Sequence, residues 1–285
     1  MNAHSHFRDL VASERPLVLP GAHDALTARL IQRASFKAYF IGGFPVAGVR
    51  HTLPDIRLLG QGEFQAAYRD ILAASDLPVL LDADNGYGDV KNIVHIVQSY
   101  ERLGAQAIFF EDQASPKRCG HIAGKELLST ERMEANIRAA AGERLDRRTF
   151  IIARADAREV YSLDEALRRG ERYLRAGADG LFREAPLNVD EMAQITRELP
   201  AVQLANMLEG GLTPLLSPSK LAELGFEIVI YGISLMMHAV RTMQAVRADI
   251  ASGEFRMRGQ GIGFEAFKEL VDMPRWSETE GRYRC

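Results

Sequence analysis

Eight short apolar runs recur along the chain: PLVL (16–19), AYFIG (38–42), PVLLD (78–82), AIFFE (107–111), FIIAR (150–154), GLFRE (180–184), VQLAN (202–206) and IVIYG (228–232). Each is four or five residues long, rich in β-branched or aromatic side chains, and shows no alternation with polar positions. A strand with one wet face alternates, whereas a strand covered on both faces by crossover helices does not. Between the runs lie amphipathic segments. Val90, Ile93, Val94, Val97 and Tyr100 form one stripe across 89–103, and Gly104 supplies a stop. Ser162 with Glu165 makes a capping box ahead of a helix that stops at Gly177, and Ser217-Pro218 opens another that ends at Gly225. The runs start on average about 30 residues apart, the length of one βα unit. Eight units are the count of a closed (β/α)8 (TIM) barrel. An open doubly wound sheet is the alternative, but it usually has fewer strands and a glycine-rich first turn, and no G-x-G-x-x-G or Walker A pattern occurs. The pattern therefore predicts one α/β domain over 1–285, with the barrel at about 16–250 and a C-terminal arm at about 253–285.

Two intervals are long and leave extended loops at 43–62 and 112–128; barrel active sites are built from such βα loops. The arm carries Phe264, Phe267, Leu270 and Trp276, apolar groups that need a surface, either on the same barrel or on a neighbouring subunit. Composition narrows the field further. With 285 residues, 47% hydrophobic and 26% charged, the chain is neither disordered nor fibrous. A net charge of −3 without a basic stretch argues against nucleic acid. No apolar run reaches the roughly 18 residues of a membrane span. The polar start MNAHSHFRDLVASERP lacks the apolar core of a secretory signal. Two cysteines, Cys119 and Cys285, make no disulfide scaffold, so a cytoplasmic, reduced protein is expected, with Cys285 left without a role.

Candidate chemistry collects where the strands end. Asp82 and Asp84, Glu111 and Asp112, Arg154 and Asp156, Glu184, and Asn206 with Glu209 close five successive runs. One such carboxylate is often a helix cap; a series of them at one rim would repel unless a cation sits among them. Mg²⁺ suits hard oxygen ligands, while zinc lacks any Cys/His pair at ligand spacing. In the loop EDQASPKRCGHIAGKEL (111–127), Lys117, Arg118 and His121 flank Cys119, and cations beside a thiol are expected to lower its pKa. Gly120 and Gly124 give that segment hinge points for a lid. The Gly42-Gly43 pair would let backbone amides approach an anion.

DADNGYG, EDQ…PKRCGH…GK, IIARADA, LFREAP and ANMLEGG, in this order, resemble the isocitrate lyase/phosphoenolpyruvate mutase superfamily over nearly the whole chain. KRCGH resembles the lid of its carbon–carbon bond-cleaving branch, with 2-methylisocitrate lyases and 2,3-dimethylmalate lyase-like members as the nearest types. The resemblance implies a modified barrel with an exchanged C-terminal helix, in a homotetramer made of two helix-swapped dimers. It implies Asp82 as the direct Mg²⁺ (or Mn²⁺) ligand and Asp84 and Glu111 as holders of the metal's waters. Gly42, Gly43, Asp55, Gly120 and Asn206 fall on substrate-binding positions, and Arg154, Glu184, Lys117, Arg118, His121 and Cys119 on catalytic ones. The chain departs from the pattern at Ile41, where serine is usual, at Arg50-His51, and at Asn85 and Ala155, where threonine is usual. Arg50 or His51 would either supply a new anion contact or lie on the surface.

The implied reaction is a retro-aldol cleavage of a 2-hydroxy di- or tricarboxylate to a 2-oxo acid such as pyruvate and a second carboxylate. The superfamily also includes oxaloacetate hydrolases or decarboxylases and carboxyphosphonoenolpyruvate phosphonomutase-like enzymes. The lid cysteine counts against the last. Ile41 and the 50–51 change alone would favour a catalytically silent barrel acting as a binding protein.

Overall fold

The computed structural model describes residues 5–284; Cys285 lies outside them. Eight strands form one sheet: β1 (Leu17–Pro20), β2 (Tyr39–Ile41), β3 (Val79–Asp82), β4 (Ala107–Glu111), β5 (Phe150–Ala155), β6 (Gly180–Arg183), β7 (Val202–Asn206) and β8 (Ile228–Tyr231). All neighbours are parallel, in the order β1-β8-β7-β6-β5-β4-β3-β2. One bridge, Gly21 to Phe40, links the end of β1 to β2 and nearly closes the ring. This is a TIM-barrel-like fold, and each strand falls within a residue or so of its predicted run.

The unbroken apolar runs have the expected cause. In β3, Leu80 turns into the barrel with Leu19, Phe40, Phe109, Ile152, Phe182, Leu204 and Ile230, while Val79 and Leu81 pack outward on the helix layer. The outer layer takes up Ile41 as well, beside Tyr39, Val46 and Phe64, so the residue standing where serine is usual lies in the core. The caps follow the sequence: Ser162 accepts from the Glu165 amide, Ser217 from Lys220, and Gly104 and Gly225 end their helices at φ of 104° and 96°.

Three features lie outside the sequence pattern. The helix Phe7–Ser13 covers the N-terminal end of the strands with Phe7, Leu10 and Val11, Phe7 lying 6.0 Å from the Phe150 ring. The loop after β2 is mostly helical, a turn at Gly43–Val46 running into a π-helical turn at Ala47–His51. The chain divides into compact units Met1–Leu235 and Met236–Cys285, the division falling early in the helix Ser234–Ala251 rather than near 253. The second unit contains the helices Phe264–Leu270 and Met273–Tyr283. No helix of the described residues is long and apolar enough to cross a membrane.

Candidate active site

The C-terminal ends of the strands surround a cavity. Gly42, Gly43, Asp55, Asp82, Glu111, Lys117, Cys119, Gly120, His121, Arg154, Glu184 and Asn206 all line it. Residues from six strand ends and two loops thus converge as parallel strands allow, because every chain direction delivers its last residue to the same rim.

One pole is anionic. Asp82 accepts hydrogen bonds from the Gly43 and Asp84 amides at 3.0 and 2.8 Å. Burial, with Asp84 adding repulsion, pushes its pKa up to about 6. Burial also holds Glu111 well above the usual carboxylate range. Asp84 is buried at a φ of 50°, a left-handed conformation costly for a residue with a Cβ. Its oxygens face the Lys117 ammonium and, at 3.7 Å, the Arg57 guanidinium, while Glu111 Oε1 accepts no hydrogen bond. The orphaned Glu111 Oε1 beside the buried carboxylates of Asp82 and Asp84 fits a cation with hard-ligand preference. Among the described residues, no three His, Cys, Asp or Glu groups draw together into a full protein cage. The Gly43 amide, expected to meet a substrate carboxylate, is instead committed to Asp82, because a buried carboxylate needs donors.

Lys117 sits opposite, 2.5 Å from Asp84 and 2.6 Å from Asp55. Burial alone would lower its pKa, but Asp84, Glu111 and Asp55 outweigh that and hold the ammonium well above its ordinary value. Arg154 grips Asp156 through Nε and Nη2 at 2.9 and 2.8 Å. Its Nη1 reaches 3.5 Å from Glu111 and 3.3 Å from Glu184, so one guanidinium links the ends of β4 and β6. Burial works against the charge on Glu184, but Arg154 and His121 prevail and bring its pKa down to about 2.

The lid is closed over this arrangement. Gln113 clamps the Arg118 backbone, accepting from its N–H and donating to its C=O, both at 2.9 Å. The Cys119 amide donates to the Asp55 carbonyl at 3.1 Å, and Lys125 donates to the Gly120 carbonyl. His121 accepts the Leu212 amide on Nδ1 at 3.1 Å, which leaves Nε2, 3.2 Å from Glu184, to carry the proton. Gly120 is required by the close approach: a Cβ there would stand 2.7 Å from Glu184 Cγ.

Several expectations change. Arg118 does not join the cavity; with its backbone clamped by Gln113, its side chain is exposed and turned to the Ala123 carbonyl. The cations around Cys119 do not lower its pKa. Lys117 is spent on Asp84 and Asp55, Arg118 points away, and burial pushes the thiol up to about 11. Arg50 pairs with Asp70 at 3.3 Å on the surface, and His51 is exposed, so neither adds an anion contact. Asp112 belongs to the scaffold, where it accepts from Arg169, Tyr173 and the Asp156 amide at 2.8–2.9 Å. The pattern also missed part of the wall: Phe44, Pro45, Leu208 and Ile233 are apolar and carry no chemical signature in the sequence.

The family model described as phosphoenolpyruvate phosphomutase matches residues 7–251. The chain belongs to the PEP mutase/isocitrate lyase superfamily. A 2,3-dimethylmalate lyase of Eubacterium barkeri is 37% identical over 285 residues, 99% of each chain. A 2-methylisocitrate lyase of Halalkalibacterium halodurans is 36% identical over 240 residues, covering 84% of this chain and 79% of that one. A solved superfamily structure, phosphonopyruvate hydrolase in complex with oxalate and Mg²⁺, superposes with a TM-score of 0.85 at 28% identity over 97% of each chain. The named lyases and the fold place the protein among the enzymes of this superfamily.

Proposed function

We propose that the protein is a Mg²⁺-dependent carbon–carbon lyase that cleaves a 2-hydroxy di- or tricarboxylate to a 2-oxo acid and a second carboxylate. The observation that carries this reading is Cys119, a half-buried thiol that lines the cavity together with Arg154 and Glu184. Asp82 would hold Mg²⁺ (Mn²⁺ equally) directly, with Asp84 and Glu111 holding its waters, and the bound ion would supply Lewis-acid polarisation of the substrate's 2-oxygen and carboxylate. The chain's own residues do the rest. Arg154 binds the substrate oxygens from the other side, with Glu184 and Asn206 orienting them and Gly42 forming the near wall. The 2-hydroxyl loses its proton toward the carboxylate pole, the C2–C3 bond breaks, and its electron pair moves into the enolised carboxylate at C3. Cys119 Sγ–H then gives its proton to C3. Lys117, Gly120 and His121 hold the lid down so that water is excluded while the carbanion exists.

The test is direct. With Mg²⁺, the protein is incubated with 2,3-dimethylmalate, 2-methylisocitrate and isocitrate, and pyruvate or glyoxylate is followed by a coupled reductase. At least one oxo acid is expected, and Cys119→Ala should abolish its formation. No oxo acid from any of them refutes the lyase reading. Full turnover of oxaloacetate by Cys119→Ser would support hydrolysis instead, since that reaction needs no protonation of C3. Cytoplasmic residence suits a lyase whose free thiol must stay reduced. We further propose a homotetramer with exchanged arms, supported by Phe264, Trp276 and Tyr283, which are 77%, 60% and 75% exposed. A monomeric mass by light scattering would refute that assembly.

A further inference from the structure

The cavity wall is divided by strand order. The contiguous arc β3 to β6 brings Asp82, Glu111, Arg154 and Glu184, whereas the arc through β7, β8 and β2 brings Leu208, Ile233, Phe44 and Pro45, together with the polar Asn206, turned to Glu184 at 3.4 Å. Phe44 and Leu208 are half-buried, with part of each side chain left open. The lining cations are already engaged: Lys117 by Asp55 and Asp84, Arg154 by Asp156, Glu111 and Glu184, and His121 by Glu184. Of the basic residues in the loop after β2, Arg50 lies on Asp70, His51 is exposed, and Arg57 faces Asp84 at 3.7 Å while lying over the Tyr87 ring. A carboxylate directed at the apolar arc would therefore lose water without gaining a cation. An alkyl group directed there would lose only water it does not need.

We propose that Phe44 and Leu208 are specificity-determining residues that fit the site to short 2-hydroxy diacids bearing alkyl substituents on the reacting carbons, and against a third carboxylate. The proposal rests on the lyase reading and names its substrate class. It predicts that apolar packing, with no charged contact, sets recognition of the distal end of the substrate.

The test is binding of non-cleavable diacids to the full chain with Mg²⁺ by titration calorimetry. 2,3-Dimethylsuccinate is expected to bind at least about tenfold more tightly than propane-1,2,3-tricarboxylate. Phe44→Arg and, separately, Leu208→Arg should each shift that ratio toward the tricarboxylate by about tenfold or more. Equal or tighter binding of the tricarboxylate to the unaltered chain overturns the proposal, whether or not either variant folds. So does an unchanged ratio in both folded variants. The two readings fail differently. Oxo-acid release from 2-methylisocitrate but not from 2,3-dimethylmalate would leave the lyase standing and refute the specificity. A preference for the alkyl diacid without release of any oxo acid would do the reverse.

Discussion

Adding a single methyl group at the lid tip should separate closure from folding. In Gly120→Ala the new Cβ would overlap Arg154 Nη2 and lie 2.7 and 2.8 Å from Glu184 Cγ and Oε2. Neither neighbour is a loose chain end. Arg154 is forked onto Asp156, and Glu184 is held between Arg154 and His121. Relief therefore has to come from the lid. Overpacking of a fixed core costs about 1–3 kcal/mol, and every 1.4 kcal/mol is about tenfold in an equilibrium. The closed form should thus lose about tenfold to 100-fold in population relative to the open one. Brief trypsin digestion reads this directly, because Lys117 is buried only while the lid is down. Cleavage at Lys117 and Arg118 should quicken at least tenfold, and kcat/KM for oxo-acid release should fall by a similar factor. The melting temperature should move by less than about 2 °C, since the barrel core is untouched. Proteolysis and turnover like those of the native chain would refute the claim that Gly120 permits closure.

Three further outcomes follow from the charges and their burial. With its pKa at about 11, Cys119 should react with iodoacetamide at pH 8 about 100-fold more slowly than an ordinary thiol, and faster as pH rises toward 11; reaction at the free-thiol rate in the Mg²⁺–oxalate complex would contradict its burial. Arg169→Met removes a main partner of buried Asp112 and should cost about 3–5 kcal/mol in urea unfolding, against less than 1 kcal/mol if Asp112 were wet. Glu184 ionises near 2 when folded instead of near 4.5, so its contribution, at most roughly 3 kcal/mol, is complete above about pH 4.5 and is lost as pH falls toward 2. Native protein should accordingly lose more stability than Glu184→Gln between pH 5 and 3, and parallel curves would show that Glu184 contributes no such term.

The barrel was legible because its signals are local. A doubly covered strand must be apolar at every position, and a helix that returns to the sheet must stop, which Gly104 and Gly225 do in a left-handed conformation. The rim residues were legible for a related reason: a charged side chain closing an apolar run is costly to bury unless a partner or a ligand meets it there. What stayed hidden depends on where neighbours point. Arg118 and Lys117 are adjacent, yet Gln113 turns one outward while Asp84 and Asp55 draw the other in. Arg50 follows the same rule, its partner Asp70 lying on the next helix. The helix Phe7–Ser13 is short and lacks a capping side chain of the preferred types, so only its packing on Phe150 reveals it.

The thiol is where sequence and structure differ most, and the difference alters what the lid is for. Adjacent cations suggest a thiolate, which would be a base or nucleophile with no proton to give. In the folded chain Lys117 and His121 are held by carboxylates, Arg118 points away, and the largest influence on Cys119 is desolvation. Desolvation of the sulfur depends on the lid lying over it, so closure makes the thiol hold its proton more firmly than an ordinary one. The same closure excludes the water that would otherwise protonate a carbanion without control. A retro-aldol lyase needs both conditions at one moment, a retained proton donor and no competing one. Gly120, by allowing the lid to lie against Arg154 and Glu184, serves both. A variant that holds the lid open should consequently lower the thiol pKa and lose turnover together, while Cys119→Ser should lose turnover with the lid still shut. Finding the thiol pKa unchanged when the lid is open would break the link between closure and acid strength.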